Sequence, residues 1–268
     1  MSDADRAFVG SIPELYDRYM GPMLFEPFAL DLASRFEGFD GALLETAAGT
    51  GRVTRALAGV VGPRATITAT DLNEPMLARA AEIVRAPNIT WRQADAQALP
   101  FDQDTFDAVV CQFGVMFFPD KVAGFAEAWR VLKPGGRFVF NVWDSLEAND
   151  ISRIVQEAVA AQFPADPPSF FARTPFGYHD EERIRGALET AGFQTVQIER
   201  VALPTQAASA ADAAIGLCMG SPLRGEIEAR SPDGLQAVVD AAAKALSRAF
   251  GSGPIVGNGQ ALVITTTA

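Results

Sequence analysis

The chain has 268 residues, 49% of them hydrophobic, which is enough apolar material for one large domain or a core with a smaller lobe and too much for wholesale disorder. Its 22 Lys and Arg stand against 33 Asp and Glu, and the net charge of −11 repels a phosphate backbone, so no nucleic-acid partner is expected. Cys111 and Cys218 read as reduced thiols, and with His179 as the single histidine no Cys/His zinc site can be assembled, so no metal is expected.

The opening MSDADRAFVG has no basic stretch followed by an apolar one, and no apolar run is long enough to span a bilayer. A cytoplasmic location without stable membrane insertion is therefore the expectation. Ser11-x-x-Glu14 reads as a capping box, and the segment after it as a helix broken near Gly21-Pro22 that then resumes. ALLETAA (42–48) reads as a short buried strand, RVTRALAGVV as a helix ending before Gly62-Pro63, and TITATD (66–71) as a second strand. EPMLARAAEIVR carries Pro75 in its first turn, where a helix tolerates it. ITWRQAD (89–95) and the nearly all-apolar FDAVVCQF (106–113) are the third and fourth strands. KVAGFAEAWRVL is helical, Lys133-Pro134-Gly135-Gly136 a turn, and RFVFNVW (137–143) the fifth strand. DEERIRGALETAGF is a further helix with Asp180 as its cap, and TVQIERVAL and ALVITTTA (261–268) are the last strands.

The alternation of strand and helix predicts an α/β fold with a doubly wound, mostly parallel sheet and helices on both faces. The chain then divides into an N-terminal helical lid (1–39), a cofactor-binding core (40–143), an aromatic and proline-rich cap (144–179), a core helix and strand (180–202), a helical insertion (203–259) and a final core strand (260–268). In the insertion, Ser209-x-x-Asp212 caps one helix. Leu235, Val238, Val239, Ala242, Leu246 and Phe250 form a stripe whose simplest role is core packing.

In such a sheet, ligands bind beyond the carboxyl ends of the strands. The loops there hold Gly49-Thr50-Gly51, Asp71, Asp95-Ala96 and Gln112-Phe113-Gly114. The glycines permit close approach to a ligand, but Thr54 stands where a dinucleotide fingerprint has its third glycine. Asp71 has the spacing of a carboxylate that binds ribose hydroxyls, which nicotinamide and adenosyl cofactors share. Glu45 breaks an apolar strand at the head of the glycine loop: it is either a residue on a solvated edge or a partner for a cationic cofactor tail, and it would repel a pyrophosphate. Asp95 can accept from an adenine amine while Ala96 leaves room for the ring, and Leu72 and Phe113 could sandwich it.

ETAAGTG, TATDLNEPML, QADAQALPFDQDTFDAVVCQF and RVLKPGGRFVF, in this order and spacing, resemble the class I S-adenosylmethionine-dependent methyltransferases, and most nearly the UbiE-like branch that acts on small molecules. The likeness is strong over 40–143 and weak in the final strands. It implies a seven-stranded Rossmann-like sheet with the last strand antiparallel. S-adenosyl-L-methionine would be the cofactor, with Gly49 and Gly51 under its methionine portion, Asp71 on the ribose, Asp95-Ala96 on the adenine and Gln112 near the methyl group. Arg52 and Tyr19 would bind its carboxylate. The sequence departs from the family at Glu45, where Asp is usual, and at Ala47, where a further glycine is often found.

The implied activity is in-line methyl transfer to a small, apolar or aromatic acceptor, for which Met116, Phe117, Phe118, Phe163, Phe170, Phe171, Phe176 and Tyr178 are candidate pocket residues, although any one of them could simply pack the accessory lobe. His179 is the one base candidate, opposed by its place at a helix start. Two other readings are a nicotinamide-dependent oxidoreductase and a non-catalytic protein that binds an adenosyl cofactor.

Overall fold

The computed structural model describes residues 12–268; the Ser11 end of the expected capping box lies outside them. A seven-stranded sheet has the order β3-β2-β1-β4-β5-β7-β6, with β1 Ala42–Glu45, β2 Thr66–Asp71, β3 Ile89–Gln93, β4 Phe106–Gln112, β5 Leu132–Trp143, β6 Thr195–Ala207 and β7 Ile255–Thr267. The ladders β1–β2, β1–β4, β2–β3 and β4–β5 are parallel, and β7 runs antiparallel to β5. Between the strands lie α3 (Arg52–Val60), α4 (Glu74–Ile83), α5 (Lys121–Val131) and α8 (Glu181–Thr190); the short loops around the first three force a return across one face of the sheet.

The residues form two compact units. The sheet unit comprises 28–143, 178–201 and 261–268. On one face of its sheet, Leu43, Ile67, Val110, Val139 and Val263 pack with Val53 and Leu57 of α3 and with Ala29, Leu32, Ala33 and Phe36. Helix α2 (Glu26–Ser34) thus supplies core to this unit, and the segment expected as a lid over 1–39 is divided at Pro27. On the other face Phe138 and Phe140 stack at 4.8 Å and meet Phe125 of α5. That alternation along β5 is what a strand covered on both sides produces.

The other unit holds 12–27, 144–177 and 202–260 of the described residues. Here α6 (Asp150–Ala160), α9 (Ala210–Met219) and α11 (Leu235–Phe250) pack together, with α7 (Phe170–Arg173) and α10 (Leu223–Arg230) beside them. Val238, Val239, Ala242 and Leu246 are buried, as the stripe required, and Ser209 caps α9 by accepting from Asp212 N. Phe170, Phe171 and Phe176 are buried against one another in this unit.

Three local features depart from the sequence reading. No break occurs at Gly21-Pro22: after α1 (Ile12–Leu15), Tyr16–Phe25 winds as a π-helix. Proline has no N–H for the α-helical ladder, and the wider turn accommodates that loss. Lys133–Gly136 is a bulge inside β5, standing opposite Asp107 alone while the register continues on either side. Lys133 Nζ meets Asp107 Oδ1 at 2.8 Å, and Gly135 N–H reaches the Ala268 carbonyl, so the excursion is tied at both edges. Finally, β6 runs through Pro204 to Ala207, and β7 begins at Ile255, before Gly257 and Gly259. A proline is tolerated because β6 is an edge strand.

Candidate functional site

Four strands end side by side in the sheet unit, and their loops bring most of the expected residues together. Thr46 N–H donates to the Val110 carbonyl and Ala48 N–H to the Thr70 carbonyl, so the loop after β1 is drawn between the ends of β4 and β2. Ala47 takes the left-handed φ of 54°, Gly49 one of 57° and Gly51 one of 79°. Only glycine does this without strain, so Ala47 occupies a glycine conformation at a cost. A Cβ on Gly51 would come within 3.0 Å of Ala80 and 3.1 Å of Trp91, which is why the chain needs glycine at that crossing.

Asp71, at the end of β2, holds this loop. Its Oδ2 accepts the Gly49 N–H at 2.8 Å and its Oδ1 accepts the Asn73 N–H at 2.8 Å. Burial pushes its pKa upward, and those backbone donors pull the other way. Glu45 is only 1% exposed, which removes the solvated-edge reading. Its Oε2 accepts from Thr54 Oγ1 at 2.6 Å. Burial pushes the Glu45 carboxyl up to about 8, with Asp71 adding repulsion and Thr54 opposing the shift. No basic side chain pairs with Glu45 among the described residues. Arg52 opens α3 directly after Gly51 and is half-buried.

At the end of β3, Asp95 Oδ1 accepts the Gln97 N–H at 2.9 Å, closing a turn over Ala96. Asp95 and Ala96 are both half-exposed. The loop is pinned from α5: Glu127 Oε2 accepts the Leu99 N–H at 2.6 Å, and Arg130 donates to the Leu99 and Phe101 carbonyls. At the end of β4, Gln112 is half-buried and Phe113 is left-handed at φ 50°. Lys121 Nζ donates to the Met116 and Phe118 carbonyls and so closes the turn that follows.

The expected sandwich of a ring between Leu72 and Phe113 is corrected by this geometry. Leu72 is 41% exposed, but Phe113 is 4% exposed and stacked on Trp143, ring centroids 3.9 Å apart, with Phe28 edge-on. Tyr19 lies in the helical unit, half-buried on the π-helix with the Arg18 guanidinium 5.1 Å from its ring. His179 is exposed, and Asp180 beside it caps α8 by accepting from Arg183 N.

Sequence reasoning met Thr54 only as the residue in place of a third glycine, and passed over Asn73 and Asn141. Asn141 breaks the apolar run of β5 just as Glu45 breaks β1, and that same signal would have found it. Thr54 shows only as a polar residue on the buried side of α3.

The donor set fits an adenosyl cofactor. A buried carboxyl with no cation of its own suits an ammonium group and opposes a pyrophosphate. Gly49 leaves the loop without a side chain at its centre, and Asp95 Oδ2 has no partner among the described residues.

Comparison with known proteins agrees. The methyltransferase domain family model matches residues 44–140. The chain is 30% identical over 186 residues to the ubiquinone/menaquinone biosynthesis C-methyltransferase UbiE of Saccharophagus degradans, covering 63% of this chain and 73% of that one. It is 32% identical over 170 residues to the Pectobacterium carotovorum protein of that name, covering 58% and 66%. Among solved structures, the phosphoethanolamine N-methyltransferase 2 of Haemonchus contortus, in complex with S-adenosyl-L-methionine, superposes with a TM-score of 0.62 at 16% identity, over 98% of this chain and 58% of that one. The [4+2]-cyclase SpnF superposes with a TM-score of 0.56 at 19% identity, over 88% and 79%. With its site, its sheet and these relatives in agreement, the chain belongs to the class I S-adenosylmethionine-dependent methyltransferases, alongside the UbiE-type enzymes.

Proposed function

We propose that this methyltransferase acts on a small ring-bearing apolar molecule of the kind its UbiE relatives suggest, an oxygenated aromatic such as a quinol precursor. The observation that carries this reading is the make-up of the ends of β4 and β5. There Phe113, Trp143 and Phe28 form a buried cluster of three rings. An apolar pocket with a small number of placed polar groups is the usual design for such ligands.

When bound, S-adenosylmethionine supplies an electrophilic methyl group on a sulfonium. In our reading Glu45 binds its ammonium and Arg52 its carboxylate. Gly49 and Gly51 keep side chains clear of its methionine portion. Asp71 accepts from the ribose hydroxyls with the lone pairs its backbone donors leave, and Asp95 accepts from the adenine amine through Oδ2. Gln112 borders the reacting methyl. Phe113 serves as a wall from behind rather than as a stacking surface. The reaction asks the chain for alignment and exclusion of water more than for a base, because the leaving group is already good. His179, exposed beside the α8 cap, is left out of this scheme.

The test is formation of S-adenosylhomocysteine from S-adenosylmethionine against a panel of quinols, phenols, amines and short acids. Turnover confined to oxygenated aromatics is expected. Turnover only on amines or short acids would overturn the acceptor class while leaving the family intact. A His179→Ala variant is expected to turn over at the wild-type rate.

A further inference from the structure

The end of β5 holds a buried carboxamide of which the strand-end loops use only the oxygen. Asn141 pairs in register with Gln112 across the β4–β5 ladder and is 0% exposed. Its Oδ1 accepts the Phe113 N–H at 3.0 Å, and the same N–H lies 3.2 Å from the Asn141 carbonyl. A backbone N–H can only donate, so the side-chain atom that faces it is the oxygen, and the orientation of the amide is fixed.

Nδ2 then carries two N–H donors into the interior with no partner among the described residues. Buried donors are rarely left unmet, and each that is calls for a reason. Asn141 precedes Trp143 on the same face of β5, and the Phe113 ring that its oxygen positions lies against Trp143. An unmet donor beside the Phe113 backbone, two residues before Trp143 and at the carboxyl end of a strand, is placed where a ligand of this fold binds.

We propose that Asn141 orients the methyl acceptor: its oxygen fixes the end of β4 through Phe113, and its Nδ2 donates a hydrogen bond to an oxygen borne by the acceptor's ring. The inference rests on the aromatic-acceptor reading above and adds to it the residue that selects for oxygen. A site with an unmet donor favours a ring that supplies an acceptor over an isostere that cannot.

The test compares 2-acetylnaphthalene, whose oxygen only accepts, with 2-isopropenylnaphthalene, which has the same shape with CH2 in place of oxygen. Binding is measured by calorimetry on the enzyme saturated with S-adenosylhomocysteine. The wild type is expected to favour the ketone about tenfold, the scale of one hydrogen bond. Asn141→Asp keeps the oxygen that holds Phe113 and removes the N–H donor. Its preference is expected to vanish at alkaline pH and to return as the pH falls and the carboxyl regains a proton to donate. A purely structural asparagine would give no such pH dependence.

Should the variant fail to fold, the wild type still decides the matter. With 15N-labelled asparagine, the Asn141 side-chain amide protons are expected to move downfield on adding the ketone, as a new hydrogen bond requires, and not to do so on adding the hydrocarbon. Equal affinity for the two rings, or no downfield move of those protons while the ketone binds, overturns the proposal and leaves the aromatic acceptor standing; in that case the N–H groups are met by a ring face or an internal water. Binding of neither ring overturns the aromatic reading and this inference with it.

Discussion

The loop after β1 and the turn after β4 each place a residue other than glycine in the left-handed region, Ala47 at φ 54° and Phe113 at φ 50°, and they are held there by different means. Around Ala47 the restraints are polar: Asp71 grips the Gly49 N–H, Thr54 grips Glu45, and backbone bonds pull the loop between β2 and β4. Around Phe113 the described restraints are mainly apolar: the ring lies on Trp143 and against Phe28, while its N–H meets the side-chain oxygen and the carbonyl of Asn141. The two touch through Gly114, where a Cβ would come 2.4 Å from the Ala47 Cβ and 2.7 Å from the Cys111 Sγ. A polar network can bind charged groups and be tuned by pH, while a ring cluster offers shape and dryness. The division is the one our proposed reading requires, a charged cofactor on one side and an apolar acceptor on the other.

The largest expected effect breaks the apolar half. Phe113→Ala removes a fully packed ring yet leaves a non-glycine residue in the left-handed conformation. Destabilisation of about 3–4 kcal/mol is expected, read as a fall in the urea midpoint at unchanged slope. A loss below about 1 kcal/mol would mean that the stack on Trp143 contributes little and that the backbone is held by Asn141 alone.

Breaking the polar half should act on binding first. Glu45→Gln is expected to weaken S-adenosylmethionine binding by about 1–3 kcal/mol in calorimetry, the scale of a hydrogen bond to a charged group. Unchanged affinity with lowered stability would make Glu45 a brace for Thr54 and nothing more.

The same carboxyl should set the pH dependence of the ligand-free protein. Glu45 is held near 8 in the fold, against an ordinary value of 4.5, and burial pushes Asp71 in the same direction. The folded chain therefore keeps protons that the unfolded chain releases. This contribution to stability is full below about 4.5 and is lost as the pH rises toward about 8. The decline should be on the order of a few kcal/mol. Glu45→Gln should flatten most of it, and thermal melts across that window check the sign: a wild type that gains stability between these limits would place the buried charge beside a cation the structure does not show.

How much of this was legible follows from the range of each interaction. The strand β1, the glycines and Asp71 could be read because each depends on local pattern or fixed spacing. That Asp71 grips the Gly49 N–H could not be read, since it joins loops 22 residues apart. The Leu72–Phe113 sandwich failed for a similar reason. Sequence shows that Phe113 is apolar, but its ring is covered by Trp143 from a different strand. Pro204, Gly257 and Gly259 look like strand breakers, yet β6 is an edge strand that tolerates proline, and β7 pairs regularly with β5 beyond its glycines. The bulge at Lys133–Gly136 has the composition of a turn and is strand-like only because Asp107 and Ala268 tie it down.

The smallest effect sharpens the comparison most. Ala47→Gly should relieve a left-handed penalty of about 1 kcal/mol, partly offset by the freer unfolded chain, for a net gain on the order of 0.5 kcal/mol. In a chain of this size that is a rise in Tm of about 1–2 °C. Phe113→Gly can show no such gain, because the same change deletes the ring that makes its conformation worthwhile. If Ala47→Gly instead lowers Tm, the packing of its methyl group against Gly114 outweighs the strain. The two loop ends would then be interlocked, and the polar half of the site would lean on the apolar half.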